Sequence, residues 1–253
     1  MILYREESVV NQDIDFVLEN WVYKPGMAQA RMIQAEDGRQ VIQLRIDLGL
    51  LLLEATGRPD GARPHGHPTY FEYLQEQARL SRKAEQKFSL SEEQCQEADR
   101  EFLQFYHRRV CWLALRQYSK AVRDADHTLA FMDLVKRYAP NDEYLQAHEQ
   151  YRGFVLFQRI QAAAALQVDQ NAPERAIAEI HAGLDTLREF FAEYGREEEM
   201  EEDGMVKYLR DVETKLRAEY KIGATLEEQL EQAIADEDYE RAAQLRDALK
   251  KQQ

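Results

Sequence analysis

Few groupings of residues in this chain have the types and spacing that chemistry requires. Asp124-Ala125-Asp126-His127 sets a carboxylate three residues before an imidazole. A di-metal helical bundle needs that pair twice, with two further carboxylates. No second copy occurs, so His127 reads as an ordinary surface or partly buried helix residue, and no metal is expected. His65-Gly66-His67 offers two imidazoles but no obvious third ligand, which leaves them as neutral turn residues by default. Arg58 and Arg63 share their loop. A guanidinium can grip a carboxylate or phosphate through two parallel hydrogen bonds, so Arg58, Arg63, His65 and His67 form a candidate ligand loop. The competing reading is that these arginines pin the loop through local carbonyls and Asp60. Cys95 and Cys111 form no C-x-x-C pair and suit a reducing compartment. Cys111, beside Trp112, reads as a small buried apolar residue, and Trp21 and Trp112 read as core. The chain has no G-x-S-x-G elbow, H-E-x-x-H pair, EF-hand loop or G-x-x-x-x-G-K-[ST] phosphate loop. No catalytic residue and no cofactor are expected, and the protein reads as not an enzyme.

Composition narrows the partners. The 253 residues carry a formal net charge of −14, and no long Lys/Arg run interrupts that balance. Phosphate backbones repel such a chain, so direct nucleic-acid binding is not expected. The first residues lack a basic segment followed by an apolar core, and the longest apolar stretch, near Leu48–Leu53, is far too short to span a bilayer. A soluble, cytoplasmic protein without membrane contact is the expectation.

The elements that must position these residues are mainly helical. Only six prolines and eleven glycines occur, which permits long helices. Residues 1–68 read as an N-terminal α+β segment with the Arg/His-rich loop. Asp13 is a candidate cap for a short helix through Trp21. Residues 31–35 and 41–47 flank Asp37-Gly38, a hairpin signal, with Ile42, Leu44, Ile46 and Leu48 expected on one face and a further strand at 50–54. Residues 69–195 read as a helical domain of antiparallel hairpins. Its helices are expected at 70–87, from the Ser91 cap to about 115, at 118–137, at 142–166, and from Pro173 to about 195. Tyr118–Leu129 and Pro173–Leu184 resemble the second helix of a tetratricopeptide hairpin, where a small Ala packs closely. Their separation exceeds that family's period of about 34 residues, and a generic bundle remains open. Residues 196–204 are an acidic linker by composition. Residues 205–253 read as one helix followed by a two-helix hairpin.

In that hairpin Thr225 and Glu228 have capping-box spacing, and Leu226, Leu230, Ala233 and Ile234 form one stripe. Asp236-Glu237-Asp238 makes the turn. Tyr239, Ala242, Ala243, Arg246 and Leu249 line the second helix, with Tyr239 placed to cover the turn. Leu245 lies off that stripe. These residues resemble the UVR motif of the UvrB/UvrC family. The resemblance implies a helical hairpin that pairs with another protein, as it does in Clp-type unfoldases and in the activator of the bacterial protein arginine kinase. The absent phosphate loop and absent paired C-x-x-C zinc sites separate this chain from those proteins. As a whole it resembles bacterial UVR-motif proteins with an Asp47-Leu48-Gly49-Leu50-Leu51 segment and a Gly57-Arg58-Pro59-Asp60-Gly61 loop, a resemblance that implies no known chemistry.

Three functions follow as expectations. The first is a non-enzymatic adaptor that docks through Leu226, Leu230, Ile234, Tyr239, Ala242, Ala243, Leu245 and Leu249, either onto another UVR-like hairpin or onto itself as a homodimer. The second is a DNA-repair accessory that contacts nucleic acid directly. The third is a ligand-binding or enzymatic site at the Arg/His loop.

Overall fold

The computed structural model describes residues 14–224 and 226–250. The Asp13 and Thr225 caps fall outside the described residues. The chain is mainly helical, with one three-stranded antiparallel sheet in order β1-β2-β3 near its start. It divides into two compact units, Met1–Ala162 and Ala163–Gln253. That division runs through a helix rather than through the composition shifts at 68/69 and 195/196.

In the first unit a short α1 (Asp15–Leu18) precedes the sheet; it stops before Trp21, with Asn20 at φ 63°. β1 (Gln29–Gln34) and β2 (Gln40–Ile46) pair with Met32 opposite Ile42. Gly38 supplies the positive φ of 85° that the tight turn between them needs. β3 (Gly49–Glu54) joins the other edge of β2, with Ile42 opposite Leu53. The expected one-sided alternation of β2 does not hold. Val41, Ile42, Gln43 and Leu44 are all buried, while Leu48 is almost fully exposed in the turn to β3. The reason is that both faces of the central strand are covered. Ile42, Leu44 and Leu53 pack on Cys111 and Trp112. On the opposite face Arg31 stacks over Trp21, donates to the Gln43 side chain and reaches the Val17 carbonyl.

Five helices follow the sheet, and the last of them crosses the boundary of the unit. α2 (Tyr70–Lys83) is capped by the Thr69 hydroxyl, and α3 (Glu92–Ala114) begins with a Ser91/Gln94 capping box. α4 (Tyr118–Tyr138) lies beside α3, and Phe71, Leu74, Ala98, Phe131 and Val135 form a core between α2, α3 and α4. The single helix expected at 142–166 is two, α5 (Asp142–Glu149) and α6 (Arg152–Asp169). They break just before Gly153, a poor helix former, where Arg152 reaches back to the buried Glu149 and across to Asp133.

In the second unit α7 (Pro173–Glu193) starts on its proline and buries Ala176, Ile177, Ile180, Leu184, Leu187 and Phe191, a helical stripe. The acidic run is not an open linker: Glu197–Glu202 form a 3-10 turn that buries Met200 and pairs outward with Arg196, Lys207 and Arg210. α8 (Gly204–Tyr220) is capped by Asp203, whose carboxylate accepts from the Met205 and Val206 amides. α9 (Leu226–Ala235) and α10 (Tyr239–Lys250) form the terminal hairpin. Among the described residues no helix is long and apolar enough to cross a membrane.

Buried charge organises the first unit. Glu101 on α3 is fully buried and accepts from the Tyr70 amide (2.6 Å) and the Phe71 amide (3.0 Å), two donors that a helix start leaves without partners. It also meets Arg58 at 3.3 Å and His127 at 3.2 Å. Seven residues on, Arg108 forks onto Asp124 with bonds of 2.7 and 2.9 Å and donates to the Glu54 and Gly57 carbonyls. Asp124 also accepts from the Trp112 indole at 3.0 Å. Replacing Glu101 with Ala strips the start of α2, leaves Arg58 short of a counter-charge and removes the hydrogen-bond partner of His127. The expected cost is about 3 kcal/mol, read as a lowered urea midpoint.

Candidate functional site

Two regions compete to be the site. In the Arg/His loop the four candidate side chains go to separate partners. Arg58 is buried, with its guanidinium at ion-pair distance from Asp60, Glu97 and Glu101. Arg63 is exposed and donates to the Gly66 carbonyl at 3.4 Å. His65, at φ 49°, stacks on Tyr73 with 4.0 Å between ring centroids. His67 Nε2 lies 3.3 Å from Glu76. With three carboxylates already around Arg58, its charge is answered from within the chain. His127 likewise belongs to the Glu101 cluster and stacks on Phe105 at 3.8 Å.

The terminal hairpin has a different character. Its turn is a Schellman closure: Asp238 N–H donates to the Ala233 carbonyl (2.8 Å) and Glu237 N–H to the Ile234 carbonyl (3.0 Å). Glu237 takes the left-handed position at φ 57°, where glycine is the usual residue. Asp238 then caps α10, its carboxylate accepting from the Arg241 amide. The seam between the helices is sealed by small residues, since Ala233 and Ala242 are buried. Small side chains let the two helices approach closely, and two large apolar ones, Ile234 and Tyr239, stay outside the seam. Ile234 is 53% exposed and Tyr239 is 69% exposed, so Tyr239 does not cover the turn as expected. Leu230, Ala243, Leu245 and Leu249 are half-buried, and the side chain of Leu226 lies outside the described residues.

A polar cluster ties the hairpin to the rest of its unit. Glu228 on α9 pairs with Arg217 on α8 and lies 3.6 Å from His181 on α7. Arg217 also binds Glu213 at 2.8 Å and the Gly223 carbonyl at 2.7 Å. Glu213 accepts from His181 at 2.9 Å. His181, Glu213 and Glu228 thus converge closely enough to hold a cation. The Arg217 guanidinium already bridges both carboxylates, which makes the cluster an ion-pair clip.

This geometry defines a class: a mainly helical protein whose last two helices form a short, alanine-sealed hairpin with apolar side chains left outside. Residues 224–252 match the family model UVR, described as the UvrB/uvrC motif. The match covers the hairpin and leaves the preceding residues outside it. No curated protein and no solved structure matches the chain.

Residue order alone did not single out the charged network of Glu101, Arg108, Arg109 and Asp124, or the Arg217 clip. One signal was present: Arg108-Arg109 directly precede the apolar Val110-Cys111-Trp112, and Glu101 lies two helical turns before Arg108.

Two outcomes follow. Glycine at position 237 removes the strain of a left-handed glutamate, so Glu237→Gly is expected to stabilise the hairpin by about 0.5–1 kcal/mol, measured by amide exchange in α9 and α10. Burial pushes the Glu213 carboxyl up, but hydrogen bonds from His181 and Arg217 outweigh it and hold the group below the ordinary glutamate value. A carboxyl held low stabilises the folded state above its ordinary titration range, and that stabilisation is lost as pH falls through the lowered value. The second unit is therefore expected to lose thermal stability on acidification below about pH 4.5, and Glu213→Gln to flatten that loss.

Proposed function

We propose that this protein is a non-enzymatic, cytoplasmic adaptor. Its C-terminal hairpin docks on another UVR-type hairpin, either in a partner protein or in a second copy of this chain. The helical middle, tetratricopeptide-like at α4 and α7, serves as the scaffold. The observation that carries this reading is the inverted packing of the hairpin: alanines fill the seam while Ile234 and Tyr239 face outward. A hairpin this short buries little apolar area of its own, and exposed apolar side chains on it are what a docking surface requires. In the UvrB/UvrC family that the motif resembles, the same hairpin pairs with another protein. Charge favours a protein over nucleic acid as the partner. The matched segment holds eight acidic residues against four basic ones, within a chain of net charge −14, and phosphate would be repelled.

The test is sedimentation of the full chain, together with its capture of purified UVR-hairpin proteins, for the wild type and an Ile234→Asp/Tyr239→Asp variant. Both substituted positions are exposed, so the circular dichroism spectrum is expected to stay unchanged. Association is expected to weaken at least about tenfold, as when central apolar anchors are removed from an interface. Association that is unaffected by the double substitution, or absent from the wild type with both kinds of partner, overturns the reading.

A further inference from the structure

A cavity of about 620 Å³ opens in the first unit, bordered by α3, α4, α5 and α6. Its volume lies in the range of roughly 300–1,000 Å³ typical of small-molecule sites. Phe102, Met132 and Val155 supply its apolar wall. At its mouth stand Leu103, Tyr106, Tyr151 and Phe154, four of the large apolar side chains that the described residues leave exposed. Scattered exposed apolar residues are ordinary on protein surfaces, whereas four around one opening form a patch with a centre.

The buried charged group in the wall is Arg109, only 1% exposed, beside the polar Thr128. Its Nε donates to Gln158 Oε1 at 2.7 Å and its Nη1 to Thr128 Oγ1 at 3.0 Å, both neutral acceptors. Asp124 acts on it electrostatically but is already held bidentately by Arg108 and bonded by Trp112. The two printed side-chain bonds of Arg109 thus go to uncharged groups, and the carboxylate that acts on it, Asp124, is shared with Arg108. Desolvation pushes the Arg109 guanidinium down to about 10, so it still carries its charge at neutral pH. The other ionisable groups at the mouth answer one another: the Asp99 carboxylate accepts from the Tyr144 hydroxyl at 2.8 Å and lies 3.0 Å from His148 Nε2.

We propose that this cavity binds an amphipathic carboxylate, with its apolar body against Phe102, Met132 and Val155 and its carboxylate on Arg109. A buried cation whose hydrogen bonds go to neutral acceptors is costly, and a guanidinium matches a carboxylate in shape as well as charge. One buried cation in a mainly apolar wall favours a singly charged carboxylate over a doubly charged phosphate.

Calorimetric titration of the full chain with decanoate, decan-1-ol and decyltrimethylammonium tests this directly. Decanoate is expected to bind at least about tenfold more tightly than the alcohol, and the cation more weakly than either. Arg109→Met is expected to keep alcohol binding and erase the advantage of decanoate. Leu103→Asp changes an exposed rim position and leaves the core intact. It is expected to weaken decanoate by about tenfold and the alcohol by less, and it decides the matter if the Arg109 variant does not fold. Equal affinity of the wild type for decanoate and the alcohol, or no binding of either, overturns the proposal. An advantage of decanoate that survives both substitutions does the same. Dimerisation abolished by Leu103→Asp, with no decanoate binding, assigns the rim to a second copy of the chain and likewise overturns it.

Discussion

The buried carboxylate of Glu101 is the constraint on which the first unit depends. An ion in the interior must find its counter-charges and hydrogen bonds there, because water cannot supply them. Glu101 finds them in four places at once: the first two amides of α2, Arg58 of the Gly-Pro-rich loop, and His127 of α4. These partners come from three different segments, so satisfying one side chain fixes the relative placement of loop, α2, α3 and α4. Arg108, two turns further along α3, repeats the device by holding Asp124 and the carbonyls of Glu54, at the end of β3, and Gly57. The sheet and the helices are thus joined by a row of polar contacts along a single helix, with the apolar clusters filling in around it.

This explains which parts of the fold could be read in the residues. The β1–β2 hairpin was legible because Asp37-Gly38 has few other conformations open to it. The starts of α3 and α7 were legible because Ser91/Gln94 and Pro173 are local signals. Helix ends were less so. Among the described residues, α2, α3, α6, α8 and α9 end on left-handed Glu85, Arg116, Asn171, Lys221 and Glu237, and α7 alone of this group ends on a glycine, Gly195. Four of these five residues are charged, and a charged residue in that position gives no composition signal, which is why α2 stops at Lys83 and not at 87. The burial of Val41 and Gln43 was hidden for another reason. It depends on the segment around Trp21 covering the outer face of the sheet, a tertiary event that no strand pattern reports.

The hairpin shows the same division. Its two helices, its turn and its family resemblance all lie in local residue order and are legible there. Which side chains close it is not. Ile234 and Tyr239 share helical stripes with Ala233 and Ala242, and periodicity alone puts the large residues in the seam as readily as the small ones. Close approach of the helices selects the alanines. In the Arg/His loop residue types suggest convergence, but the partners of Arg58 come from α3, thirty or more residues away in sequence, and they take the guanidinium inward.

The way the hairpin is tethered has a consequence for how salt acts on it. Its clip through Glu228, Arg217 and His181 is partly exposed and electrostatic, so added electrolyte screens it. Its outward apolar side chains respond in the opposite sense, since strongly hydrated salts such as sulfate favour their removal from water. Raising such a salt therefore slackens the tether while strengthening the pull on the free face. Ionic conditions thus act in opposite senses on the attachment of the hairpin to α7 and α8 and on the exposure of Ile234 and Tyr239.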